Sequence, residues 1–309
     1  MNQQISIIVP MHNEEAGIPE FFSRITPILQ STGEYEIICV NDGSTDNTAL
    51  LLAERAAADA RIKVINFSRN FGKEAALTAG LDYANGAAVI PIDADLQDPP
   101  ELIPELIAKW HEGFKVVLAT RKTRDESWLK RKSATLFYKL ISRLSNVRIP
   151  KNTGDFRLMD RQVVDSIKNL PERTRFMKGL FAWAGFSTTT IYYDRPQRFA
   201  GKTSWNYIKL WSFALDGIFA FSTKPLKIWT YLGGVISLFA FVFGAIILLK
   251  TLIYGSDLPG YASIMVVILF LGGIQLVSLG IIGEYVGRIY RETKLRPLYI
   301  IESKKGFEN

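Results

Sequence analysis

Short runs of apolar, often β-branched residues alternate with stretches of helical periodicity through the first half of the chain. The apolar runs predict strands at Ile5–Pro10, Glu36–Asn41, Ile62–Ser68, Ala87–Asp93 and Lys115–Thr120. Amphipathic stretches between them predict helices near Glu15–Gln30, Thr45–Asp59, Gly72–Ala84 and Pro100–Glu112. The strands "SIIVP" and "AAVIPID" are nearly continuous in apolar residues, as a parallel sheet covered on both faces requires. Regular β-α alternation predicts an α/β domain with a doubly wound, mostly parallel sheet. Its ligands are expected beyond the carboxyl ends of the strands, where the crevice opens. From about Arg121 to Gln197 the pattern is irregular, with mixed helical segments and one further strand near Thr188–Tyr193. Trp205–Phe221 then gathers Ile208, Trp211, Leu215, Ile218 and Phe219 on one helical face. Such a helix packs on a core or lies in a membrane interface, and the apolar run that follows favours the interface.

Two later stretches change the picture. Ile228–Leu249 and Leu258–Gly283 contain no charged residue. At ~1.5 Å per residue, each reaches the ~30 Å hydrocarbon core of a bilayer. The expected organisation is a catalytic domain over 1–200, an interfacial amphipathic helix over 201–225, transmembrane helices over 226–254 and 258–285, and a basic tail over 286–309. Lys224 and Lys227 before the pair, with Arg288, Arg291, Lys294 and Arg296 after it, put both termini in the cytoplasm. With 48 % hydrophobic and 22 % charged residues, the chain is no disordered or low-complexity protein. Cys39 is its only cysteine, which excludes an intramolecular disulfide framework and a cysteine-based zinc site.

Three expected strand ends carry acids. They read Pro10-Met11-His12-Asn13-Glu14-Glu15, Asn41-Asp42-Gly43-Ser44-Thr45-Asp46 and Asp93-Ala94-Asp95-Leu96-Gln97-Asp98. Asp93 and Asp95, two apart in an extended segment, project to the same side. Adjacent carboxylates repel unless a cation holds them, and hard oxygen ligands suit Mg²⁺ or Mn²⁺, with Gln97 as a third, neutral oxygen donor. The plainer alternative is a solvated loop leading into a helix start at Asp98-Pro99-Pro100-Glu101. Asp42 stands where a doubly wound fold places an acid for a ribose or base, or else it orders its own turn. No G-x-G-x-x-G follows the first strand, which disfavours a dinucleotide. Gly201-Lys202-Thr203 lacks the upstream glycine of an NTPase loop, since position 196 is proline. Between Arg121 and Lys132 six Lys/Arg face two acids, and Arg195, Arg198 and Lys202 follow. This is a solvated face or a patch for anionic lipid, or else a cradle for an anionic headgroup near the bilayer. No nucleic-acid partner is expected. His12 and His111 lack a catalytic partner pattern.

Together these residues resemble the family-2 glycosyltransferases of the GT-A fold, in particular the polyprenyl-phosphate hexose synthases of the bactoprenol glucosyltransferase type. The resemblance rests on "IIVPMHNEE", "VNDGSTD", "RNFGKEAALTAGL", "DADLQDPPE", "TGDFRLMD", "RFAGKTSW" and the two-span tail, in that order. It implies a GT-A Rossmann-like catalytic domain and inverting transfer of a hexose, glucose from UDP-glucose, onto undecaprenyl phosphate. The setting it implies is the cytoplasmic face of a bacterial inner membrane, in O-antigen or cell-envelope glycosylation, beside a flippase. N-acetylglucosamine, mannose or an aminoarabinose derivative remain alternative sugars. A non-enzymatic nucleotide-sugar-binding scaffold is the alternative class, and self-association through the spans is compatible with the sequence. Carried over, Pro10, Glu14, Asp42 and Asp93 bind the nucleotide sugar, and Asp93, Asp95 and Gln97 hold the metal. Arg121, Arg131, Arg198 and Lys202 hold the acceptor phosphate. Asp155 in "TGDFR" takes the position usually given to a general base. A phosphate monoester, with a second pKa near ~6, needs little proton removal, so Asp155 alternatively orients the arginines or the acceptor.

Overall fold

A computed structural model describes residues 4–122, 153–173, 175–194, 222–254 and 260–307. Period-two alternation sorts strand side chains onto two faces of the sheet. In β1 (Ile5–Met11), Ile7, Val9 and Met11 enter one apolar cluster while Ile8 enters the other. β1 pairs in parallel with β2 (Tyr35–Asn41) on one side and β4 (Ala88–Pro91) on the other, and β2 pairs in parallel with β3 (Ile62–Phe67). β5 (Val116–Arg121), β6 (Thr153–Asp160), β7 (Thr188–Tyr193) and β8 (Ile301–Lys305) complete the order β7-β5-β6-β4-β1-β2-β3-β8.

Helices cover both faces, as the near-continuous apolar strands require. Phe21, Phe22, Ile25 and Leu29 of α1 (Ile18–Thr32), Leu52 of α2 (Thr48–Ala58) and Ile103 and Leu106 of α4 (Ile103–His111) bury against one face. α3 (Lys73–Tyr83), α5 (Arg161–Lys168) and α6 (Met177–Trp183) supply Leu77, Val164 and Leu180 to the other. Each fully buried Ile, Leu or Phe contributes roughly 1.5–3 kcal/mol of transfer free energy. α3 presses closely on β1: a Cβ at Gly80 would lie 2.1 Å from Cγ2 of Ile8.

Two strands depart from the expected pattern. β6 lies antiparallel between β4 and β5, within the segment expected to be irregular. Its sequence TGDFRLMD interrupts the apolar alternation with Gly154, Asp155 and Arg157, yet Phe156, Leu158 and Met159 are buried. β8 lies antiparallel on the outer edge of β3, within the expected basic tail. It reads Ile-Glu-Ser-Lys-Lys and is largely exposed; charged residues of this kind blunt a free sheet edge rather than announce a strand.

Two long helices follow the α/β layers: α7 (Lys224–Tyr254) and α8 (Tyr261–Thr293). Both are long and apolar enough to cross a membrane, with mean hydropathy of 2.6 and 2.5 over an 18-residue stretch of each. Phe239, Phe241 and Leu269 are among many large apolar side chains that they leave uncovered. The Tyr285 hydroxyl donates to the Ser222 carbonyl at 2.7 Å, so the start of α7 and the end of α8 lie together. Past α8 the chain returns to the α/β layers. The Arg173 amide donates to the Glu292 carboxylate at 2.8 Å, the Tyr299 ring stacks on Phe67 at 5.0 Å, and its hydroxyl donates to Asp82 at 2.7 Å. The expected interfacial helix over 205–221 lies outside the described residues.

The α3–β1 contact yields a test. Gly80→Ala should destabilise the chain by about 1–3 kcal/mol through overpacking, read as a lower thermal unfolding temperature in detergent. Ile8→Ala should then cost less in that background than alone, a coupling that a double-mutant cycle detects.

Candidate active site

The carboxyl ends of β1, β2 and β4 open onto a cleft of about 290 Å³, lined by Pro10, Glu14, Asp42, Lys73, Asp93 and Asp95 among others. The loops after β1 and β2 are stitched together. Asn13, in the left-handed region at φ 55° that Asn tolerates, donates its amide to Ser44 Oγ at 2.9 Å and accepts from the Thr45 amide at 2.8 Å. The Glu14 amide donates to Thr48 Oγ1 at 2.9 Å. Gly43, at φ +60°, touches the third loop so closely that a Cβ would lie 2.3 Å from the Arg69 carbonyl carbon. Asp42 is buried, and its carboxylate accepts from the amides of Phe71 at 2.6 Å and Gly72 at 2.9 Å. It therefore anchors the turn that starts α3 while lining the cleft. His12 puts Nδ1 2.8 Å from the Asp42 carbonyl oxygen.

The reacting end of the cleft is built on Lys73, the first residue of α3. Its ammonium lies 2.7 and 2.8 Å from the two carboxylate oxygens of Asp93 and 2.7 Å from Asp155 Oδ2. Asp155 reaches this point because β6 runs antiparallel to β4, which brings its amino end beside the carboxyl end of β4. Burial alone would lower the Lys73 pKa, but Asp93 and Asp155 outweigh it and hold the ammonium above its ordinary range. Burial would likewise raise Asp155, yet Lys73, Lys178 and Arg157 hold its carboxyl well below the usual carboxylate range. Glu74 sits beside them and accepts from the Met177 amide at 3.1 Å. Burial and the charge of Asp155 push its carboxyl up to about 7. Arg157 is buried behind Asp155, donating to the Gly154 carbonyl at 2.7 Å, with its guanidinium 4.3 Å from the Phe181 ring centre.

After Asp93 the chain turns through Leu96, which is buried and held at φ 56°. A left-handed conformation costs a leucine about 1–2 kcal/mol, and here it accompanies a turn in which the Gln97 amide donates to Asp95 Oδ1 at 3.1 Å. Among the described residues no group of three or more His, Cys, Asp and Glu forms a metal cage. The Asp93-Ala94-Asp95 turn still fits a hard divalent cation, because Mg²⁺-type ions take one or two protein carboxylates and complete their shell with substrate phosphates and water.

Arg121 lies at the far end of β5. Its guanidinium is 3.3 Å from Asp98 Oδ1 and donates to the Tyr193 hydroxyl at 3.2 Å, while Tyr193 donates to Asp98. Burial and Asp98 push the Tyr193 phenol up, so it remains a donor. A Cβ on Gly154 would lie 3.5 Å from Arg121 Nη2, so this cluster adjoins the strand that carries Asp155. The other three expected acceptor-phosphate residues, Arg131, Arg198 and Lys202, lie outside the described residues. The structure thus brings Pro10, Glu14, Asp42, Asp93 and Asp95 to one cleft, with Asp155 joined to it through Lys73. Lys73, Glu74, Asp98, Arg157 and Tyr193 were not expected from the sequence. Lys73, Glu74, Asp98 and Arg157 lie within quoted motifs, "RNFGKEAALTAGL", "DADLQDPPE" and "TGDFRLMD", whereas Tyr193 lies in none.

A mostly parallel sheet with an acid pair turning off β4 and a cleft at its strand ends is the arrangement in which α/β enzymes place their ligands. The chain belongs to glycosyl transferase family 2, whose family model matches residues 6–168, and residues 224–289 match the GtrB C-terminal hairpin. It is 58 % identical to an uncharacterized glycosyltransferase of Synechocystis, covering 100 % of this chain and 98 % of that protein. It is 49 % identical to the bactoprenol glucosyl transferase of Shigella phage SfV, covering 98 % and 99 %. Among solved structures, glucosyl-3-phosphoglycerate synthase of Mycobacterium tuberculosis, in complex with Mn²⁺, UDP and phosphoglyceric acid, shares the fold at a TM-score of 0.50. It is 21 % identical and covers 70 % of this chain and 76 % of its own.

The raised carboxyl of Glu74 makes a sign-specific prediction. Unfolded, it ionises near its ordinary value of 4.5; folded, near 7. The folded chain holds the extra proton between these values, so this group's contribution to stability is lost as pH rises through that window. Glu74→Gln should flatten the fall of thermal stability between about pH 5 and 7, measured by unfolding at a series of pH values.

Proposed function

We propose that the protein transfers a hexose, glucose from UDP-glucose, onto undecaprenyl phosphate at the cytoplasmic face of a bacterial plasma membrane. The observation that carries this reading is the meeting of Asp93 and Asp155 at Lys73, within a catalytic unit tied to two lipid-suited helices. The names of its relatives support glucose as the sugar and bactoprenol as the carrier. Residues Pro10, Glu14 and Asp42 face the nucleoside, and Asp93 and Asp95, with the side chain of Gln97, are the residues to hold Mg²⁺ or Mn²⁺. Bound there, the cation supplies charge neutralisation for the departing diphosphate.

Transfer is a single displacement with inversion. An acceptor phosphate oxygen forms the new bond to the anomeric carbon, and the bond from that carbon to the UDP oxygen breaks, its electron pair leaving with UDP. The acceptor is already largely ionised at neutral pH. Asp155, held ionised beside Lys73, is a weak base. Its task is to orient: it holds Lys73 in the cleft and follows Gly154, which adjoins the Arg121–Tyr193 cluster where we place the acceptor phosphate together with Arg131, Arg198 and Lys202. Catalysis then comes from positioning and preset charge. The basic flanks of α7 and α8, and the return of the chain to the catalytic unit after α8, support a hairpin with both ends on the cytoplasmic side.

Purified full-length chain should convert undecaprenyl phosphate to its glucosyl derivative with UDP-glucose and Mg²⁺ or Mn²⁺, read by mass spectrometry of the lipid. Transfer of a different sugar, or undiminished transfer under chelation, would overturn the glucose or the metal assignment respectively. Asp95→Ala should lower turnover by about 10²–10³-fold. Asp155→Asn should stay within about tenfold of wild type, whereas loss of a general base costs about 10²–10⁴-fold.

A further inference from the structure

On the reading proposed above Asp93 belongs to the donor side of the cleft and Asp155 to the acceptor side, and one ammonium holds both carboxylates. Both Asp93 oxygens lie within 2.8 Å of Lys73 Nζ, so any other cation approaching that carboxylate meets a positive charge already there. The backbone of Lys73 is fixed, because the preceding Gly72 amide is bonded to the buried Asp42. Its side chain is free to shift, being 43 % exposed within the cleft. Asp155, at 12 % exposure, is the better shielded of its two partners and also feels Lys178 and Arg157.

We propose that Lys73 is a resident counter-cation that competes with the divalent ion for Asp93. It occupies that carboxylate before the donor arrives, then gives it up and keeps Asp155 when the ion binds. The ammonium is never left without a partner, so the exchange costs little. Donor loading thereby concentrates the lysine's charge on Asp155, and the state of the donor site is relayed to the acceptor side through a single side chain. This inference rests on the reading of Asp93 as a metal ligand. It departs from a plain structural ion pair in one respect: removing Lys73 must improve metal binding rather than impair it.

The test is Mn²⁺ binding to the full chain in detergent without nucleotide, followed by the electron paramagnetic resonance signal of free Mn²⁺. Lys73→Met should bind Mn²⁺ at least about tenfold more tightly than wild type, and Lys73→Arg should stay close to wild type. Equal or weaker binding by Lys73→Met would overturn the proposal. If that variant shows no cooperative melting alone, added Mn²⁺ should restore the transition, and failure to do so also counts against it. Should wild type and variants all fail to retain Mn²⁺ even with UDP, the metal reading of Asp93 falls too. Equal affinities with UDP-supported binding intact would remove the Lys73 proposal alone.

Discussion

Carboxylates gathered at one end of a sheet repel each other, and the site is arranged around countering that repulsion. Each buried or half-buried acid receives a different remedy. Asp42 is met by two backbone amides, Asp98 by a guanidinium and a phenol, and Asp93 and Asp155 share one lysine. These pairs add little to stability where they are open to solvent. Their weight lies in holding acids close together at one edge of the sheet.

Topology decides which acids can meet. The parallel strands β1, β2 and β4 bring their loops to one edge of the sheet by the ordinary logic of a doubly wound fold. Asp155 lies at the start of its strand, so a parallel β6 would carry it to the opposite edge. Reversed between β4 and β5, that strand delivers Asp155 to Lys73 and Gly154 to the neighbourhood of Arg121. The antiparallel insertion is thus what joins the loops of the parallel strands to the Arg121 cluster.

Much of this was legible in the sequence, for physical reasons. β1 to β5 and α1 to α4 follow from apolar periodicity, and β7 falls on the expected Thr188–Tyr193. The long apolar runs foretold α7 and α8. Scanning strand ends found Asp42, Asp93 and Asp95 because parallel sheets present their ligand loops there. β6 was hidden by Gly154, Asp155 and Arg157, which break its apolar alternation, and β8 by the charges proper to an exposed edge. Lys73 escaped notice because it opens a helix and gains its meaning only from partners 20 and 82 positions away. The Asp98–Tyr193 contact spans 95 positions with no local trace.

The placement of β8 also bears on how the molecule is made. Its partner β3 leaves the ribosome early, whereas β8 lies beyond both apolar helices. Until β8 has been made, the flank of β3 stays open, an unpaired edge able to recruit other extended segments. Docking of Tyr299 on Phe67 and of β8 on β3 therefore covers an edge that can be closed only after both apolar helices have been made.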